Sequence, residues 1–257
     1  MPKPVVVTRP LQQAEALASR VRAMGRDAVV FPLLEILPLQ DTAALRAALQ
    51  RLDEAALAAF VSPNAVDAVV AAGLQDWPAL VAIAVVGEGS RAALARHGID
   101  DGNARIFSPR DPARSDSEGL LEVLDLEALR GRKVMIFRGE SGRELFADAL
   151  RAAGALVEPV PAYRRLAPAL DATRRLQLMQ MLEQRHEWIV TSSEALRNLV
   201  TMAEQLSAAD VVAKMQQQSL IVSHARIAET ARELGFQDIT LTGSGDEQLI
   251  AALQSRA

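Results

Sequence analysis

The sequence predicts an α/β protein made of two similar parallel-sheet domains, with a ligand cleft between them. Three observations carry that expectation. Short β-branched runs alternate with longer Ala/Leu/Arg stretches of helical spacing, the chain repeats itself at an offset of 129 residues, and Pro-punctuated segments recur at equivalent places in the two copies.

Taken in order, strands are expected over 4–8, 28–32, 56–61, 82–86, 105–107, 133–138, 156–160, 188–191, 220–223 and 239–242. Helical stretches are expected between most of them, such as 11–24, 63–72, 89–97, 142–153, 193–204 and 226–234. The offset lays 3–36 on 132–165, pairing Val5 with Val134, Arg9 with Arg138, Glu15 with Glu144, Gly25 with Gly154 and Pro32 with Pro161. Alanine matches mean little in an Ala-rich chain, whereas Gly and Pro constrain the backbone. Gly25 and Gly154 sit where a helix ends in the left-handed region, and Pro32 and Pro161 where a strand leaves its sheet. Looser correspondences link 61–65 with 191–195, 96–99 with 233–236 and 117–120 with 246–249. With 32–38 and 161–168 as hinges, domain 1 comprises 1–36 and 168–257, and domain 2, over 39–161, is inserted into it.

Half of the 257 residues are apolar and 23% are charged, a globular composition. The longest apolar run, 79–86, is under half of what a membrane helix needs, so no membrane partner is expected. There is no cysteine, which excludes thiol catalysis, thiolate zinc sites and cysteine-ligated iron–sulfur clusters. Together with the lack of a signal-peptide pattern, this leads us to expect a cytoplasmic setting. A net charge of −4 argues against wholesale nucleic-acid binding. The basic residues are 25 Arg and 3 Lys; guanidinium forks suit carboxylates, although codon composition explains the same bias.

Ligands of an open parallel sheet collect where strands end and helices begin, because free backbone N–H groups and the helix dipole point there. Six junctions suit this: Thr8-Arg9-Pro10, Ser62-Pro63-Asn64, Gly87-Glu88-Gly89-Ser90, Arg138-Gly139-Glu140-Ser141-Gly142, Thr191-Ser192-Ser193-Glu194 and Ser223-His224. Singly, helix capping explains each of them. Together they describe a distributed receptor for several carboxylates, whereas a phosphate site would have one dense glycine loop and a lysine. Residues 87–92 match G-x-G-x-x-A, but late in their unit and followed by Asp100-Asp101 in a loop, so a tight strand-to-helix turn explains them better than a dinucleotide site.

His97, His186 and His224 lack zinc-ligand spacing, and no metal is expected. Tyr163, the only tyrosine, stands just past Pro161 and before Arg164-Arg165. Its residue type allows two roles, an amphipathic packing side chain or a phenol acting as a hydrogen-bond donor or weak general acid.

An ordered set of motifs resembles the uroporphyrinogen-III synthase family over the whole chain. It consists of Val7-Thr8-Arg9-Pro10, Phe31-Pro32-Leu33, Ser62-Pro63-Asn64-Ala65-Val66, Val86-Gly87-Glu88, the 137–145 segment, Tyr163-Arg164-Arg165, Thr191-Ser192-Ser193-Glu194 and the 231–236 segment. The resemblance implies two α/β domains joined by a two-stranded linker, the first assembled from both chain ends, and no cofactor. It implies a cyclising lyase of haem biosynthesis whose substrate is hydroxymethylbilane, a linear tetrapyrrole octacarboxylate. The product is uroporphyrinogen III, formed with loss of water and inversion of ring D. The implied route runs from loss of the terminal hydroxyl to an azafulvene, then attack by the substituted carbon of the last ring, then a spiro intermediate that breaks and recloses with that ring reversed. Spontaneous closure gives the type I isomer, so the enzyme's main task is positioning.

By the same resemblance Tyr163 assists departure of the hydroxyl, and Thr8, Ser62, Arg138, Thr191, Ser192 and Ser223 occupy carboxylate-binding positions, much of the binding being through main-chain amides. The junctions add Arg9, Asn64, Gly87, Gly139 and Ser193 as substrate contacts. Val61-Ser62-Pro63 departs from the family's Thr-Ser or Ser-rich start, and Pro63 supplies no N–H. The expected partners are the small-molecule substrate and, in a hand-over, the preceding pathway enzyme. The hinge design alone equally suits a non-catalytic two-domain protein closing on a small polyanion, with a nucleotide-dependent oxidoreductase third.

Overall fold

The computed structural model describes residues 3–111, 114, 116–142, 144–206 and 210–256. Arg143 of the 137–145 motif lies outside them, as do a few residues of both expected domains. In chain order the elements are β1 (Val5–Val7), α1 (Leu11–Ala23), β2 (Ala28–Val30), β3 (Glu35–Pro38), α2 (Ala43–Leu49), β4 (Leu57–Phe60), α3 (Pro63–Ala71), β5 (Ala82–Val85), α4 (Glu88–Arg96), β6 (Ile106–Phe107), α5 (Ser117–Leu121), β7 (Lys133–Gly139), α6 (Leu145–Ala152), β8 (Leu156–Leu166), α7 (Ala172–Glu183), β9 (Glu187–Val190), α8 (Ser193–Glu204), α9 (Val211–Gln216), β10 (Ser219–Val222), α10 (Ala225–Glu233), β11 (Asp238–Leu241) and α11 (Asp246–Ser255). The chain divides into two compact units, Met1–Glu35 with Leu166–Ala257, and Ile36–Arg165.

Unit 1 carries a sheet of order β11-β10-β9-β1-β2 whose neighbouring strands are parallel. Its strands are apolar on both faces because helices cover both. Val6, Trp188, Val190, Leu220 and Val222 enter one core, and Val5, Val7, Ile189 and Ile221 the other, the period-2 division of a strand. Unit 2 has the order β3-β8-β7-β4-β5-β6 and divides in the same way. Ala58, Phe60, Ile83, Val85, Met135 and Phe137 face one core, and Leu57, Ala59, Ala84, Val134 and Ile136 the other. Phe60 and Phe137 stack there with ring centroids 5.1 Å apart. Gly25 (φ 79°) and Gly154 (φ 91°) end α1 and α6 in the left-handed region, each N–H closing on a carbonyl of the last turn.

Helices α2, α5, α7, α9 and α11 add to those named from the sequence. Among the strands two differ from the sequence expectation, and both fall on the segments read as hinges. Residues 35–38 form β3, which borders β8, and β8 continues past Pro161 to Leu166 instead of stopping at 160. Pro161 pairs with Arg138, after which the register shifts and Gly139 comes opposite Tyr163. An irregularity of this kind is one of the few places a sheet accepts a proline, whose missing N–H would otherwise break the ladder. On the unit 1 side, Phe31 to Leu33 is pinned by Arg174, which stacks on the Phe31 ring at 4.3 Å and donates to the Pro32 carbonyl, and by Asn198 Nδ2 donating to the Leu33 carbonyl at 2.9 Å.

The amino-terminal edge of the unit 1 sheet holds a charged cluster. Glu187 accepts from Arg26 Nη2 at 2.7 Å and from Arg256 Nε at 2.8 Å, and Arg256 also reaches Asp238 at 3.1 Å. Partial burial opposes ionisation of Asp238, but hydrogen bonds from Ser219 and Arg256, and the charges of Arg256 and Lys3, outweigh it and hold the carboxyl below the usual range. A carboxyl with a lowered folded-state pKa contributes stability above its unfolded value of 3.8, lost as pH falls through the folded one. We expect Tm to fall on acidification below about pH 4, and Asp238→Asn to flatten that slope. Superimposable Tm profiles for the two proteins would show that Asp238 contributes nothing to it.

Candidate functional site

In unit 2 the order β8-β7-β4 sets three strand ends side by side. From β4 comes Ser62, whose Oγ accepts the Ala65 N–H at 3.2 Å and caps α3. Pro63 takes the first helical position, where an absent N–H leaves no intrahelical bond unmade, so the family departure at this site costs the helix nothing. Tyr163 comes from β8, 4% exposed, with its hydroxyl 2.9 Å from Ser62 Oγ. Between them β7 supplies Gly139, where an added Cβ would stand 3.3 Å from two Tyr163 ring carbons. The Glu140 N–H donates to the Tyr163 carbonyl at 2.9 Å and fixes the loop that follows.

Arg138 is 7% exposed and ion-paired with Glu144, the residue before α6. Arg165 Nη2 donates to the Ser141 carbonyl at 2.9 Å. A Cβ on Gly142 would meet Arg138 Nη2 at 3.0 Å and Arg165 Nη2 at 3.7 Å, so the β7–α6 loop is gathered around two guanidinium groups. Gly87, half-buried and extended, precedes α4, and Asn64 is half-buried in the first turn of α3.

At the carboxyl edge of the unit 1 sheet, Thr8 is 1% exposed and its hydroxyl donates to the Ile189 carbonyl at 2.7 Å, tying β1 to β9. The side chain of Thr8 is therefore turned into the fold. Arg9 is ion-paired with Asp246 at 2.5 Å, at the start of α11. Ser192 caps α8 by accepting the Ala195 N–H at 3.4 Å, Ser193 Oγ accepts from Thr230 at 3.1 Å, and Thr191 is half-buried just before them. The Ser223 carbonyl accepts from Ser244 at 3.5 Å, and His224 caps α10. The amino ends of α1, α8, α10 and α11 thus follow strand ends of this sheet, α10 after β10 and α11 after β11, and lend it a positive dipole.

The structure brings Ser62, Gly139 and Tyr163 together and places Arg138 next in the chain. Sequence reasoning missed the carboxylates that hold the two repeat-equivalent arginines. Glu144 is the repeat equivalent of Glu15, and its pairing with Arg138 was within reach; but Arg9 passes over Glu15, which pairs with Arg22 at 3.7 Å, and takes Asp246 instead. Among the described residues no group of three or more His, Asp or Glu is disposed to hold a metal ion. Nor is any helix among them long and apolar enough to cross a membrane.

A family model described as uroporphyrinogen-III synthase HemD matches residues 15–249. The uroporphyrinogen-III synthase of Escherichia coli (strain K12) is 35% identical over 97% of this chain and 99% of its own length. That of Salmonella typhimurium (strain LT2) is 34% identical with the same coverage. In fold, the chain is similar to a mutant uroporphyrinogen III synthase from the extremely thermophilic bacterium Thermus thermophilus, with TM-score 0.61 and 16% identity over 98% of both chains. These matches do not favour the non-catalytic polyanion-binding alternative. With a family model spanning most of its length and full-length relatives above 30% identity, the chain belongs to the uroporphyrinogen-III synthase family, lyases of haem biosynthesis that act on a small molecule.

Proposed function

We propose that the chain closes hydroxymethylbilane to uroporphyrinogen III with inversion of ring D and release of water, without a cofactor and in the cytoplasm. The observation that carries this reading is the Tyr163 hydroxyl, held beside Ser62 at the carboxyl edge of the unit 2 sheet. Electrons from the pyrrole nitrogen expel the terminal hydroxyl, which takes the phenolic proton and leaves as water. The phenolate recovers a proton when the reversed ring closes and rearomatises, so the enzyme ends unchanged. Arg138, Arg9 and the helix amino ends at Asn64, Gly87, Thr191 to Ser193 and Ser223 supply the cations and N–H donors for the substrate's carboxylates. Thr8 acts by holding β1 on β9, and the crossovers at 32–38 and 161–168 serve as hinges.

Purified protein incubated with freshly prepared bilane and then oxidised is expected to give the type III isomer on chromatographic separation; type I alone would overturn the reading. Arg138→Ala is expected to raise KM several-fold while lowering Tm little, since its acid partner, Glu144, is solvated and half-exposed. If Arg138→Ala and Arg9→Ala lose Tm comparably and leave KM unchanged, both arginines are structural.

A further inference from the structure

A side chain on β8 that reaches β4 has to cross β7, two interstrand spacings of about 4.8 Å each. Tyr163 makes that crossing, and Gly139 is the residue it passes over. The register shift after Arg138 brings Gly139 opposite Tyr163, and an added Cβ would press on Cε2 and Cζ at 3.3 Å. At the far end Ser62 has one proton and two lone pairs. One lone pair takes the Ala65 N–H at 3.2 Å, which turns the hydroxyl relative to Tyr163 Oη, 2.9 Å away.

We propose that Ser62 and Gly139 are positioning residues for Tyr163, Gly139 by leaving the crossing open and Ser62 by donating its hydroxyl proton to the phenol oxygen. This rests on the reading of Tyr163 as the proton donor. The chain runs from the Ala65 N–H to Ser62 Oγ and from the Ser62 O–H to Tyr163 Oη, so the phenolic proton is left free to point at the departing hydroxyl. As that proton leaves, negative charge grows on an oxygen already accepting a hydrogen bond that the amino end of α3 polarises. No bond to Ser62 breaks; it orients the acid and steadies the charge.

The test is a double-mutant cycle with steady-state kinetics on the whole protein. Ser62→Ala is expected to lower kcat about 10-fold, the worth of one hydrogen bond to a developing charge, with KM within about twofold. In a Tyr163→Phe background the same change is expected to add nothing. Gly139→Ala breaks the arrangement without touching the helix cap and is expected to lower kcat likewise, while Ser62→Thr restores it. The chain has one tyrosine, so 13Cζ-labelled enzyme gives one resonance, expected to move in Ser62→Ala and return in Ser62→Thr. An equal loss in both backgrounds, a loss carried by KM, or an unmoved resonance overturns the proposal and makes Ser62 a substrate contact. Full turnover in Tyr163→Phe alone overturns the proton-donor reading instead, a separate result from a separate variant. Should Ser62→Ala fail to fold for want of its cap, Gly139→Ala with Ser62→Thr still decides between the two.

Discussion

Glu187→Ala is expected to destabilise unit 1 by roughly 3–5 kcal/mol, the usual cost of leaving one member of a buried ion pair uncompensated. The Glu187 side chain is 3% exposed and that of Arg26 4%, so in the intact fold Arg26 relies on this carboxylate rather than on solvent. Arg26 would keep only the carbonyls of Lys3 and Leu253, and Arg256 would keep Asp238 and Thr240. The size of the effect does not mean that the cluster is net stabilising, because desolvating three charges offsets much of their attraction. Glu187→Gln is expected to cost less, since the amide oxygen still accepts from one guanidinium. Urea denaturation followed by circular dichroism checks this. A loss below about 1 kcal/mol for the alanine variant would show that solvent reaches the cluster and screens it.

Tyr163→Phe is expected to lower turnover about 10-fold or more, the scale of a missing general acid, with little change in Tm. The ring keeps its place in the core of unit 2, and only the hydrogen bond to Ser62 is lost, worth about 1 kcal/mol. Substrate left unclosed cyclises by itself, so the type I fraction of the total product is expected to rise as turnover falls. Single-turnover quenching with isomer separation measures both quantities. Unchanged turnover would reduce Tyr163 to a packing residue, the other role its residue type allows.

Much of the fold was legible because it is written within short windows. Val5 to Val7, Trp188 to Val190 and Leu220 to Val222 are apolar on both faces, which fits a covered parallel strand, and Gly25 and Gly154 mark helix ends by a backbone conformation that other residues avoid. Ser62-Pro63 announces the start of α3 for a similar local reason, a cap oxygen followed by a residue that needs no N–H there. The strand in 35–38 and the continuation of β8 past 160 were not legible because Pro38 and Pro161 argue locally against a strand. The structure keeps one through a register shift and a neighbouring strand, β3, that lies more than a hundred residues away in the chain.

The partners of the charged side chains were not legible in the same way. Arg9 and Arg138 are repeat equivalents, yet Arg138 pairs with Glu144 six residues on while Arg9 pairs with Asp246 across 237 residues. The Ser62–Tyr163 contact spans 101 residues and Arg26–Glu187 spans 161. The order of amino acids was enough for the α/β alternation, the duplicated units and the polar strand ends, since these follow from backbone preference and apolar periodicity over a few residues. Three-dimensional packing settled which of those polar groups are spent on the fold, as Thr8 is, and which meet at one edge, as Ser62, Gly139 and Tyr163 do. Strand order and register determine which distant side chains come within a hydrogen bond of one another, and no local pattern encodes them.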